Sequence, residues 1–366
     1  MISDRVKASL KREFYRSRAA QLGVVLVGII IFTAVFAPML TPHDPTTQRV
    51  GTGNTSELTD LPPLSPIPGH EFVGTNNKTV VNQTTGDFRN VKEEVPANAS
   101  HPLGTNERGQ DILSRLIYGA RVSMLVGLLG TALATILGVP YGLVAGYFGG
   151  RLDDTLMRAA DVMLAFPSLV LAIALIGVFR DTSFHTTDIP DPLVAAAQSD
   201  TVPNILIPRA EHVALMPETT TFPVTVTLVV ALVNWVWFAR IARGEALSIR
   251  AEEYVTAARS LGASDLTILR QHILPNAITP IIVLATIQVA FIILLEASLS
   301  FLGFSGTNLT WGADIQQGRN GLSSGKWWVS TMPGLAIVAA VVGVNLLGDW
   351  LRDALDPGIQ GETGGV

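Results

Sequence analysis

Glu296 follows directly on an apolar run, Ile273 to Leu295, that contains no Asp, Glu, Lys or Arg. An ionised carboxylate at bilayer depth costs roughly 2.5 to 3.5 kcal/mol on insertion scales. Two readings stand open. A deep Glu296 would face a pathway or a partner and could touch a peptide amine. If the helix instead starts near Asn276 and spans about twenty residues, Glu296 lies at the outer boundary, solvated or capping a turn. Asn234 and Asn345 sit inside other apolar runs, where an amide serves either as an interhelical hydrogen-bond partner or, for Asn234, as a possible pathway residue. Asp161, at the edge of a run, reads as solvated. No run pairs a nucleophile with a base or carries two carboxylates, so intramembrane hydrolysis has no machinery. The chain has no Cys, which excludes thiolate metal sites, thiol catalysis and disulfides. Its six His lack the i, i+4 spacing of a helical metal site, so no metal is expected. "GLSSGKW" at Gly321 has the wrong spacing for a phosphate-binding Gly-x-x-x-x-Gly-Lys-Ser/Thr loop. The chain therefore reads as a non-enzyme.

The elements that must carry these residues are membrane helices. Hydrophobic residues make up 48% of the 366, charged residues 15%, and the mean hydropathy is +0.40. Six charge-free windows, Ala19 to Leu40, Val122 to Phe148, Val162 to Phe179, Phe222 to Ala239, Ile273 to Leu295 and Val329 to Gly348, approach the ~20 residues a crossing needs. The expectation is an all-α integral membrane protein with six transmembrane helices. Arg5, Lys7, Lys11, Arg12, Arg16 and Arg18 against Asp4 and Glu13 place segment 1–18 in the cytoplasm. Even parity puts both termini there. A basic head before an apolar run also describes a secretory signal; this run is 22 residues long, and cleavage would leave five spans with the wrong parity, so 19–40 reads as a retained anchor.

The remainder divides into an extracellular loop 41–117, a core of five helices over 118–348 with an extracellular insert 180–221 and a cytoplasmic loop 240–275, and a cytoplasmic tail 349–366. From Thr41 to Ile117 there are nine Asp and Glu against six Lys and Arg. Residues 42–101 are rich in Pro, Thr, Asn and Gly and read as turns with short edge strands. Triplets at Asn54, Asn77, Asn82, Asn98 and Asn308 have the glycan-acceptor form, a pattern that also arises by chance. The acidic balance, pI near 5.7, argues against nucleic acid.

The cytoplasmic loop holds "EEYVTAARSLGASDLTILRQHILPN". Glu253 to Leu261 has helical spacing, with Tyr254, Ala257, Ala258 and Leu261 on one face. Gly262 supplies a bend. Ser264 is the expected N-cap of a second run, with Leu266, Leu269 and Ile273 on a face, and Pro275 should stop it. A nine-residue helix is only ~14 Å long, a rigid knob able to enter a groove on another protein. Arg240, Arg243 and Glu245 before it read either as pairing with that protein or as solvated.

This stretch resembles the coupling loop of permease subunits of ABC-type importers, whose pattern is Glu-Ala-Ala, three residues, Gly, then Leu-Pro. Ala257, Ala258, Gly262, Leu274 and Pro275 match; Thr256 stands where the family has Glu, which removes any ion pair that Glu makes. "FAPMLTPHDP", "HPLGTNERGQDILSRLIYGARVSMLVG", "AFPSLVLAIAL", "EASLSFLGFS" and "NLLGDWLRDALDPG" resemble the dipeptide, oligopeptide and nickel branch, C-type subunit. The resemblance implies the binding-protein-dependent importer permease fold and four partners besides the lipid membrane: a second homologous permease, two cytoplasmic ATPase subunits and an extracellular substrate-binding protein. It also implies no cofactor in this chain, since ATP and Mg would be bound by the ATPases. Transport would proceed by alternating access, with Glu253, Tyr254, Thr256, Ala257, Ala258, Leu261, Gly262 and Pro275 as the coupling surface. The cargo is di- or oligopeptides or, by the same machinery, nickel or another small solute. A secondary transporter, the remote alternative, would keep ionisable residues deep in its spans, which the charge-free windows oppose.

Overall fold

The computed structural model describes residues 14–46, 59–65, 72–81, 88–179, 186–191, 194 and 219–355. The helices, in chain order, are α1 (Arg18–Val35), α2 (Ala37–Leu40), α3 (Ile112–Phe148), α4 (Gly150–Leu164), α5 (Ser168–Phe179), α6 (Val224–Ile249), α7 (Glu253–Ser260), α8 (Asp265–Ile268), α9 (Leu274–Phe301), α10 (Trp311–Gly318) and α11 (Trp328–Leu355). Two antiparallel hairpins accompany them, β1 (Val73–Val81) with β2 (Phe88–Pro96) and β3 (Thr187–Pro190) with β4 (Thr219–Phe222).

Among the described residues, five helices are long and apolar enough to cross a membrane: α1, α3, α6, the run Asp265–Phe301 and α11. The expected third span differs. α4 and α5 meet at 88° across the break holding Pro167, and they make a sixth crossing only as a bent pair. Proline lacks the N–H that would continue the helix and disfavours helical angles in the residue before it, so an apolar window that looks continuous turns a corner here. The second span starts at Ile112 rather than Val122, capped by Asp111, whose side chain accepts from the Ser114 N–H. The fifth continues past Leu295 to Phe301, which carries Glu296 inside the helix. The anchor stops at Val35, and after Phe36 the short α2 begins with Pro38 in its first turn.

Helix-on-helix packing makes the core. The tightest pair is α3 with α6, joined through a stripe of small residues. A Cβ added at Gly138, Gly142 or Gly146 would lie 2.2 Å from the Trp235 carbonyl oxygen, 2.0 Å from that of Ala239 and 2.5 Å from that of Arg243. Every fourth residue is glycine on one helix, and the facing backbone carbonyls are also four apart, so the helices touch backbone to backbone. Ala134, Val139, Leu143 and Tyr147 of α3 share a buried cluster with Ala231, Phe238, Ala242 and Ala246 of α6 and Ile281 of α9.

The bundle has two chemically different ends. Phe14, just before α1, lies against Trp350 of α11 (ring centroids 5.9 Å apart), so the beginning of α1 and the end of α11 share one end. At the other end, Lys326, before α11, bonds Asp60 at 2.7 Å. Asn54 and Asn82, the basic residues Arg5, Lys7, Lys11 and Arg12, most of insert 180–221 and tail residues 356–366 lie outside the described residues, as does the side chain of Asn77. Asn98 is described; its carboxamide oxygen accepts from the Ser100 N–H at 2.9 Å.

Candidate functional site

α6 ends at Arg250, and the chain enters α7 through Glu252. α7 is eight residues, Glu253–Ser260, and closes as a Schellman cap: the Gly262 N–H donates to the Arg259 carbonyl at 3.0 Å and the Ala263 N–H to that of Ala258 at 3.1 Å. This geometry needs a left-handed residue at the turn. Gly262 supplies it with φ +85°, which a side chain would strain. Ser264 then caps α8, its hydroxyl accepting from the Thr267 N–H at 3.3 Å.

Tyr254, Ala257 and Leu261 are exposed as the spacing requires, while Ala258 is half-buried. Leu261 is 88% exposed and Leu266 64%, an apolar tip with little packed over it among the described residues. The sequence reading missed Val255, fully buried, which pins α7 against the bundle. The Thr256 hydroxyl bonds the Glu252 carbonyl of its own helix at 3.3 Å and makes no substitute for an ion pair.

Two expectations for the second run are corrected. Its inward residues are Ile268 and Ile273, not Leu266. They lie five apart because Leu269–Ile273 is a π-helical turn, where each turn takes an extra residue. Pro275 does not stop the helix either. It stands just after the π turn, inside the continuous helical run Asp265–Phe301.

Arg243 and Arg240 both pair with carboxylates of α4. Arg243 makes a two-pronged pair with Asp153 of α4 (Nε to Oδ1 2.6 Å, Nη2 to Oδ2 2.7 Å), and Arg240 bonds Asp161 at 2.7 Å. Both join α6 to α4. Tyr147, in the last turn of α3, donates its hydroxyl to Asp265 Oδ1 at 2.6 Å and carries the Arg259 guanidinium 5.4 Å from its ring centroid. Arg250 Nη1 donates to the carbonyls of Gly146 and Tyr147 at 2.9 and 3.1 Å.

Glu296 is fully buried. Its carboxylate accepts from Ser300 of its own helix at 2.5 Å and from Ser123 of α3 at 2.9 Å, with Thr310 also bonded to it. It is therefore not solvated, and it links α3, α9 and the start of α10. Asn234 is likewise fully buried; its amide N–H donates to the Val230 carbonyl at 2.7 Å and its oxygen lacks a partner.

At the opposite end, three residues far apart in sequence meet. Ligand atoms of His43, His101 and Asp111 lie within 4.8 Å of one another, against the expectation of scattered histidines. His101 Nδ1 is 2.9 Å from Asp111 Oδ1, and the two imidazoles stack with centroids 4.3 Å apart, inclined by 25°. A bound metal lies in the plane of each imidazole at ~2.0 to 2.1 Å, and two nearly parallel rings this far apart share no such point. The trio would hold a metal only after one ring turned. As it stands it is a hydrogen-bonded clasp on the N-cap of α3. Burial pushes the Asp111 carboxyl up, but hydrogen bonds from His101 and Ser114, with the His43 ring nitrogen 3.9 Å away, outweigh it and hold the group well below the usual carboxylate range. Arg115, buried beside it, bonds Asp314 at 2.6 Å, the Pro45 carbonyl and Gln110 at 3.2 Å each, and the Asn308 carbonyl.

The family model described as binding-protein-dependent transport system inner membrane component matches residues 138–361, and the N-terminal TM domain of oligopeptide transport permease C matches residues 10–63. A putative peptide transport system permease protein of Brucella suis is 33% identical over 96% of this chain and 92% of its own length. The probable D,D-dipeptide transport system permease protein DdpC of Escherichia coli K12 is 35% identical over 73% of this chain and 77% of its own. The dipeptide transport system permease protein DppC of Bacillus subtilis is 29% identical over 95% and 85%. Among solved structures, the inward-facing MetNI methionine ABC transporter is similar over 66% of this chain and 97% of that one, with 16% identity and a TM-score of 0.43.

Proposed function

Because the chain belongs to the family of binding-protein-dependent transport system inner membrane components and is a C-type permease of an ABC importer, we propose that it moves di- or oligopeptides across the membrane while separate subunits hydrolyse ATP. The peptide cargo rests on the relatives, which are named for peptides and dipeptides. A multi-pass permease of this family works with ATPase and binding-protein partners. In our reading these are two cytoplasmic ATPase subunits that hold the ATP and Mg, a second homologous permease that completes the pathway, and an external protein that delivers the cargo.

The observation that carries this reading is the tip of the cytoplasmic loop. Leu261 and Leu266 are large apolar residues at 88% and 64% exposure, one at the end of α7 and the other in α8. Outside the bilayer such residues lack lipid to cover them, and a groove on a soluble subunit is the cover that suits their shape. The two ends of the bundle fit the same orientation. The beginning of α1 and the end of α11 lie together, and with α4 and α5 counted as one crossing the parity is even. Both termini and loop 240–275 then face the cytoplasm. Loop 41–117 and insert 180–221 face outward, flanking the core of 118–348, and 349–366 forms a cytoplasmic tail.

The test is affinity purification of tagged protein from its native membrane in mild detergent, comparing wild type with Leu261→Asp. Recovery of a second permease and ATPase subunits with the wild type, and loss of the ATPases alone in the variant, is the expected result. Ala258→Asp is a weaker probe because that side chain is half-buried. A wild-type chain purified alone, under conditions that keep known membrane complexes together, would overturn the reading.

A further inference from the structure

The sequence separates the cytoplasmic loop into two arms at Gly262, whose φ of +85° and empty surroundings leave it as a swivel. A two-armed loop with a swivel would absorb a push, because α7 could tilt while α8 stayed with α9. The contacts around one side chain oppose this. Arg259, from the last turn of α7, lies over the Tyr147 ring at 5.4 Å. Asp265, the first residue of α8, accepts the Tyr147 hydroxyl at 2.6 Å. The arms on either side of Gly262 thus grip the face and the tip of the same ring, which is 5% exposed.

That ring belongs to the final turn of a lever. α3 has 37 residues, ~55 Å at 1.5 Å per residue, and runs from the Asp111 clasp at the outer end to the cytoplasmic loop. Its last carbonyls, which no helical N–H can reach, are held by Arg250 from the end of α6. A Cβ at Gly149 would stand 2.5 Å from the Arg250 guanidinium, so the arginine lies flush against the turn. The end of α3 is therefore clamped from three sides: by α6, by α7 and by α8.

We propose that Tyr147 is a positioning residue for transport, the joint through which both arms of the coupling loop drive α3 as one body. This rests on the importer reading above. The hydroxyl matters apart from the ring: the ring packs in the buried cluster around Phe238 and Ile273, whereas only the hydroxyl reaches across to Asp265. Tyr147→Phe keeps the packing and removes the link. Asp265→Ala removes it from the other side, and Asp265→Asn keeps an oxygen that can accept the hydroxyl proton.

The absence of cysteine makes a direct measurement clean. Spin labels are placed at Ser260→Cys on α7 and Leu137→Cys on α3, both exposed, in the complex purified with its partners. Their separation is read by double electron–electron resonance without nucleotide and after trapping with ATP and vanadate. A working joint gives one narrow distribution, unchanged by trapping. Tyr147→Phe and Asp265→Ala should each broaden it and make it shift on trapping, their combination should add nothing further, and Asp265→Asn should match the unsubstituted protein. A distribution that stays narrow in both Tyr147→Phe and Asp265→Ala overturns the joint, as does one that shifts on trapping in the parent. Failure of ATPase subunits to purify with the parent would instead bring down the importer reading and, with it, the joint's role in transport.

Discussion

The two ends of the bundle, outer and cytoplasmic in the orientation proposed above, use the same kinds of contact at different depths. Outside, Arg115 and Asp314 have side chains 2% and 7% exposed, and His101 and Asp111 are sealed beside them. At the cytoplasmic end, Arg243 is 37% exposed although its partner Asp153 is only 8% exposed, and Arg240 and Asp161 are 45% and 58% exposed. A buried pair that loses one partner strands the other's charge, whereas an exposed one returns both groups to water. The ion pairs of the first end are thereby sealed from water, while the Arg240–Asp161 pair at the second leaves α4 and α6 freer to shift against each other, which suits the proposed docking.

Arg115→Ala gives the sharpest break in this contrast. It leaves the Asp314 carboxylate buried without its cation and strips the carbonyls of Pro45 and Asn308 of a donor, which should cost about 3 to 5 kcal/mol. Arg240→Ala, whose partner Asp161 is 58% exposed, should cost less than half as much. Thermal unfolding of the two variants in one detergent compares them; equal losses would mean that burial does not distinguish the ends.

Next in size is Asp111→Ala, which removes the buried cap of α3 and the anchor of His101 and should cost about 1 to 2 kcal/mol at neutral pH. The carboxyl has its folded pKa depressed, so its stabilisation is present above the ordinary carboxylate value near 4 and is lost as the pH falls through the folded value, which lies lower. The difference in unfolding midpoint between wild type and Asp111→Ala should therefore hold from pH 7 to about pH 4 and shrink below it. A difference that collapsed between pH 7 and pH 5 would assign the clasp to the histidines instead.

What could be read from the sequence follows the range of the contact. Gly262 and Ser264 act on neighbours within five residues, and both do what their chemistry requires of a swivel and a cap. Length and hydropathy likewise give the membrane helices. The 88° corner at Pro167 escaped because the hydropathy window is apolar straight through it. The inward pair Ile268 and Ile273 escaped because a π turn breaks the 3.6-residue period on which a face is read. His43 and His101 are 58 residues apart in sequence, and only folding of the intervening outer segment stacks them. Glu296 was hardest to place, since its burial depends on three hydroxyls, two of them from Ser123 and Thr310, far along the chain.

The two helix caps give the mildest and most discriminating comparison. Asp111 and Ser264 do the same thing, each accepting from an N–H three residues on, at 2.8 and 3.3 Å, but Ser264 is exposed and its helix is a single turn. Water can replace most of what its hydroxyl provides, so Ser264→Ala should leave global unfolding within about 0.5 kcal/mol of wild type. Its effect should be local, because α8 is held mainly by Ile268 below and by Asp265 on Tyr147. Loss of a cap worth about 1 kcal/mol predicts roughly fivefold faster amide exchange at Thr267 and Ile268, whose N–H groups bond Ser264, with exchange at the start of α3 unchanged. Faster exchange at both ends would tie the cap to the whole fold. Faster exchange at α8 alone would mean that the coupling loop opens as its own unit, with Tyr147 as the contact that recloses it.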